Sequence, residues 1–132
     1  MKTAILIARL ILGLIFLLFG LDYFLHFMSH IINFPPAGEK ADAFFGAIGA
    51  TGYFFPLLKT IEIICAVFLL INRYAAFFAV VIFPVTFNIF MLHACLAHPY
   101  IPLGTGMLVL NIFLLYAYRK NYTGLLKTKP IV

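Results

Sequence analysis

Tryptophan is absent from the 132 residues, acidic side chains number four, and charged residues of both signs make up 10% of the chain. A soluble domain carries about 25% charged residues, so a water-facing surface cannot be assembled from this composition. Cysteine is also scarce, with Cys65 and Cys95 and no Cys-x-x-Cys, which speaks against dithiol chemistry of the disulfide-oxidoreductase kind. Helical rise puts Cys65 about 16 Å below the outer surface and Cys95 close to it, beyond the ~7 Å Cα limit for a disulfide within one chain. There is no phosphate-cradling glycine loop, no nucleophile elbow and no His-Glu-x-x-His string.

What fills the chain instead is apolar: hydrophobic residues reach 65%, 16 of them Phe. They gather in four stretches, about 3–24, 54–71, 75–94 and 103–118, each near the roughly 20 residues a bilayer crossing needs. The first follows Lys2 as a secretory signal would, but it is too long and lacks a small-residue cleavage site before Asp22, so it reads as a retained helix. With no Trp, Tyr must supply the interfacial belt, and Tyr23, Tyr53, Tyr74, Tyr100, Tyr116, Tyr118 and Tyr122 all fall at or just past a stretch end. The expected fold is therefore all-α: one domain over 1–132, an antiparallel four-helix transmembrane bundle.

The net charge of +5 collects at helix ends rather than on a face interleaved with aromatics, which argues for topology and against nucleic acid. Lys2, Arg9, Arg73, Arg119, Lys120, Lys127 and Lys129 lie toward one side, against Lys40 and Lys59 on the other, so both termini are expected in the cytoplasm. Asn72-Arg73-Tyr74 makes a tight hairpin between the second and third stretches. The longer connection 25–52 contains Pro35-Pro36, which would stop any continuation of the first helix, and then AGEKADAFFGAIGA. Its Glu39 and Asp42 suit the start of a short interfacial helix with Phe44, Phe45 and Ile48 as its apolar face. Gly46, Gly49 and Gly52 fit either close packing or simple helix termination.

Polar residues inside the spans are the candidates for chemistry. Counting ~1.5 Å per residue from each helix's cytoplasmic end puts Arg9 at about 9 Å, Asn111 near 10 Å and Glu62 at about 14 Å, within reach of one another. An Arg9–Glu62 ion pair is expected, either as a device of helix register or with Glu62 as a proton acceptor or ligand anchor. Lys59, one turn from Glu62, offers a second cation, although it can also snorkel outward. In the third span Pro84 marks the expected kink, with Thr86 and Asn88 near it, and Asn88 stands about 140° around the helix from His93. Asp22, His26 and His30 recur at i, i+4 and i+8, a weak metal or haem pattern if the first helix runs on, and otherwise boundary residues.

Arg9 with Gly13 and Gly20, then Gly52-Tyr53-Phe54 with Pro56 before Glu62, Asn72-Arg73, Pro84, Asn88 and His93 follow in an order that resembles the DoxX family of small bacterial membrane proteins. The resemblance covers most of the chain. It implies a four-helix protein of the bacterial inner membrane, associated with quinone-linked redox chemistry as an accessory or quinone-binding subunit, with a membrane redox protein as a partner besides the bilayer. The expected polar core is Arg9, Glu62, Asn88, Asn111 and His93. The other readings are a transport or assembly protein for a small amphiphile and a purely structural membrane partner. No self-contained catalytic motif decides among them.

Overall fold

A computed structural model describes residues 1–132 and contains five α-helices and no strand. α1 spans Lys2–Leu25, α2 Glu39–Gly49, α3 Phe54–Leu70, α4 Ala75–Cys95 and α5 Ile101–Ala117, with short 3-10 turns at Met28–His30, His98–Tyr100 and Arg119–Tyr122. α1, α4, and α5 taken with the turn before it, are long and apolar enough to cross a membrane. α3 has 17 residues and rises only about 26 Å, so it makes a fourth span only jointly with α2, to which it is joined at 96°.

α1 packs along α3 and α4 along α5, and the two pairs meet through α1–α5 and α3–α4 contacts. Glycine sets the spacing of the first pair. A Cβ on Gly13 would stand 2.9 Å from Leu70 Cγ and one on Gly20 2.7 Å from Ile63 Cγ1, so both positions let α3 come closer than any side chain would allow. At the centre Leu12, Phe16, Leu69, Ile82 and Leu114 are fully buried. Outward faces carry Leu, Ile, Val and Phe in the open, which in water would be a large exposed apolar surface and in lipid is ordinary.

The tyrosines stand at helix ends: Tyr53, Tyr74 and Tyr100 cap the starts of α3, α4 and α5, and Tyr118 caps the end of α5. Tyr122 ties the C-terminal turn back to α4 by donating its hydroxyl to Ala76 O at 2.8 Å, and burial pushes this phenol up to about 12, so it keeps the donating proton.

The way α1 ends changes one local expectation. The first helix stops at Leu25, ten residues before Pro35, because His26 turns into the left-handed region (φ 52°) and Asp22 Oδ1 accepts the Met28 N–H at 2.7 Å. Asp22, His26 and His30 thus share no helical face, and the carboxylate that would have ligated a metal is engaged by backbone; the i, i+4, i+8 pattern is corrected. The proline pair does not end the helix. α4 runs through Pro84 as one element, and the Thr86 hydroxyl donates to Ile82 O at 3.1 Å rather than to the Val80 carbonyl that Pro84 leaves without its usual donor.

Candidate functional site

α2, the C-terminal halves of α1 and α4 and the N-terminal halves of α3 and α5 enclose a partly open cavity of about 550 Å³, within the usual range for small-molecule sites. Sixteen of its 21 lining residues are hydrophobic, so the walls select apolar matter and the few polar groups must fix its orientation. Phe16 forms part of the floor, while Phe44, Phe45 and Ile48 of α2 form the roof. The roof is held by aromatic contacts, with the Phe45 and Phe55 ring centroids 6.1 Å apart and Tyr23 against Phe55 at 6.0 Å. Thr51, after α2, donates to Ile48 O at 2.7 Å, and Gly52 takes φ 78°, a conformation glycine adopts without strain, to turn the chain into α3. Of the two readings of the glycines, termination fits better: α2 ends at Gly49, whose Cβ would meet Phe55 at an ordinary 3.8 Å, and nothing stands within 4 Å of a Cβ at Gly46 or Gly52.

Glu62 carries the strongest polar feature. It is 1% exposed, lines the cavity and binds Lys59 Nζ through Oε2 at 3.0 Å, while Oε1 makes no hydrogen bond within the chain. Lys59 precedes it by three residues on the same helix, so this ion pair is local and needs no second helix to form. Opposite, α4 presents Pro84, Val85, Asn88, Ile89, Leu92 and His93. Asn88 and His93 stand well apart around α4 and still reach one site because the cavity is wide enough to wrap that face.

His93 is positioned by a missing side chain. A Cβ on Gly104 would collide with His93 Nδ1 and come within 3.3 Å of Phe90 Cα, so only glycine lets the imidazole edge lie against α5. Nδ1 is buried there without a partner, and the ring rests on Tyr100 at 5.7 Å between centroids. The Tyr100 hydroxyl in turn donates to Pro35 O, which straps the α1–α2 connection to the start of α5. Tyr100 itself lines the cavity.

The other two polar residues lie elsewhere. Arg9, 7% exposed, donates from Nη1 to Leu69 O at 2.6 Å and Leu70 O at 3.1 Å, closing the C-terminal end of α3, where a cation complements the helix dipole. The expected Arg9–Glu62 ion pair is therefore a correction. Flush helix ends would bring the two charges near one level, but Arg9, seven residues after the start of α1, meets the last carbonyls of α3. Glu62 lies seven residues before Leu69, about 11 Å along the axis, and Lys59 already holds it. Asn111 meets neither charge; its Nδ2 donates to Ala79 O at 3.1 Å, joining α5 to α4, and its Oδ1 is buried without a partner.

The structure therefore brings Glu62, Asn88 and His93 together and sends Arg9 and Asn111 to other places. Sequence reasoning missed Tyr100 as a wall and strap and the α2 phenylalanines as a roof; the i, i+3 spacing of Lys59 and Glu62 was the readable sign of the actual pair. Cys65 is buried beside this region and Cys95 is exposed; both are free thiols.

No protein-family model and no solved structure matches the chain. Over 70 residues it is 36% identical to the uncharacterized protein YwoB of Bacillus subtilis (strain 168), a match that covers 53% of this chain and 46% of that protein. The chain thus aligns with less than half the length of this relative.

Proposed function

We propose that the chain is an antiparallel four-helix transmembrane protein of the bacterial inner membrane, DoxX-like, with both termini cytoplasmic, that binds a quinone-type amphiphile as an accessory of membrane redox chemistry. The opposed numbering of the helix contacts supports the antiparallel reading: Gly13 meets Leu70 while Gly20 meets Ile63, and Gly104 meets His93 while Asn111 meets Ala79. The bent α2–α3 pair serves as the second crossing, with α2 lying at the outer surface.

The observation that carries the ligand reading is a phenylalanine-lined cavity with an ion pair on one wall and a half-buried imidazole on another. A prenylated ring fits such walls, and its oxygens meet Glu62 on one side and Asn88 or His93 on the other. A carboxylate held by an ammonium accepts hydrogen bonds and donates none, so Oε1 of Glu62 asks for a hydroxyl. The reduced, dihydroxy form satisfies it and the oxidised form leaves it unpaired, a difference that a buried site turns into strong discrimination. Ligand binding accounts for this cavity better than passage through the protein, since Leu12, Leu69, Ile82 and Leu114, none of which lines it, are fully buried in the opposite half.

The test is binding of 4-hexylphenol against its methyl ether to the purified protein in mild detergent, followed by quenching of tyrosine fluorescence or by calorimetry. Tighter binding of the phenol by about tenfold or more, lost in Glu62→Gln, is the expected result. Equal binding of both compounds by the native protein contradicts the reading.

A further inference from the structure

At the end of the molecule opposite the cavity, Arg9 is a buried cation with no carboxylate against it. The chain's single ion pair is Lys59–Glu62, and the four acidic side chains, Asp22, Glu39, Asp42 and Glu62, lie on the segments that form the cavity end. Only Nη1 of Arg9 is engaged by the α3 carbonyls; Nη2 and Nε make no hydrogen bond within the chain. This guanidinium lines a cleft of about 230 Å³ whose other lining residues are Lys2, Ile5, Leu6, Asn72 and Tyr118. Two cations, an amide and a phenol thus share a small recess with two aliphatic side chains, and Arg73, Arg119 and Lys120 follow the neighbouring helix ends.

We infer that this cleft is a binding site for a phosphate anion, and specifically for the phosphodiester head group of an anionic lipid in the leaflet facing the chain's termini. The recess sits level with the end of α3 and with Tyr118, the cap of α5, which is where head groups lie when tyrosines mark the interface. A guanidinium with two free N–H directions matches phosphate oxygens, and the ammonium of Lys2 adds a second, adjustable charge. Ile5 and the exposed Leu6 continue onto the outer face of α1, where the acyl chain of the same lipid would run. Basic recesses between spans on the cytoplasmic side are favourable places for such head groups because the surface potential and local charge act together. The binding is independent of the cavity and of what the cavity holds.

The experiment is native mass spectrometry of the full chain released from nanodiscs of equal parts phosphatidylglycerol and phosphatidylcholine. Selective retention of phosphatidylglycerol is expected, lowered about fivefold by Lys2→Gln and restored by Lys2→Arg. Lys127→Gln, which removes the same charge from an exposed position outside the cleft, is expected to leave retention unchanged. Arg9→Lys keeps a cation for the α3 carbonyls while losing the planar fork, and is expected to weaken retention without loss of the folded protein. Adding millimolar inorganic phosphate separates the sources of the anion: displacement of the lipid assigns the recess to free phosphate, and resistance assigns it to the head group. Equal retention of both lipids, or equal loss in Lys2→Gln and Lys127→Gln, overturns the proposal.

Discussion

Two charged side chains, Arg9 and Glu62, lie buried in this small protein, and they are used in opposite ways. Arg9 is engaged by main chain: its guanidinium bridges the last carbonyls of α3 and so closes one end of the helix packing. Glu62 is engaged by Lys59 on its own helix and keeps one oxygen directed to a cavity of about 550 Å³. The first arrangement holds helices together, and removing it leaves Leu70 O without a donor. The second leaves α1–α3 packing untouched and leaves Oε1 without a partner in the chain. One buried charge need not neutralise another when each has nearer partners.

The comparison breaks most visibly at the structural end. Arg9→Ala removes Nη1 from both carbonyls, leaving Leu70 O without a donor and Leu69 O with only the Asn72 N–H at 3.4 Å, so a loss of about 2 kcal/mol in detergent stability is expected, measured by thermal unfolding. A melting temperature like that of the native protein would show that the α3 carbonyls find other donors. Gly104→Ala tests how the cavity wall is built. Its Cβ forces His93 or the Phe90 backbone aside, with an expected cost of about 2 kcal/mol and weaker ligand binding, read by the same melt together with a phenol titration. Unchanged stability would mean that the imidazole swings away freely. Asn88→Ala sits on an exposed stretch of α4, makes no hydrogen bond within the chain, and is expected to change stability by less than about 0.5 kcal/mol while weakening phenol binding a few-fold.

The smallest perturbation concerns which end faces out. A membrane-impermeant thiol reagent applied to whole cells is expected to label the exposed Cys95, near the cavity end, and to spare Cys65, which is 1% exposed. Labelling that requires broken cells would reverse the orientation.

The extent of the helices was legible because a run of apolar residues bounded by tyrosine is a strong local pattern: the expected stretches 3–24, 54–71, 75–94 and 103–118 differ by at most two residues at any end from α1, α3, α4 and α5. The short helix was legible too, from Glu39 and Asp42 at its start. Partner choice was not. Arg9 and Glu62 were matched by counting each from its own helix end, and relative stagger is set by how Gly13 and Gly20 seat against Leu70 and Ile63, a tertiary fact with no local signature. The means by which α1 ends at His26 was hidden for a different reason. Nothing in Phe24-Leu25-His26 breaks a helix by composition, and the stop depends on the Asp22 carboxylate capturing the Met28 N–H. Asn111 looked like a third member of a polar cluster and instead joins two helices through one carbonyl.

Mass spectrometry of organic extracts from three purified forms, native, Arg9→Lys and Glu62→Gln, bears most directly on the division of labour between the two charges. A quinol-type amphiphile is expected from the native and Arg9→Lys proteins and is expected to be absent from folded Glu62→Gln. Retention in Glu62→Gln together with loss in Arg9→Lys would contradict that division and move the ligand to the other end of the protein.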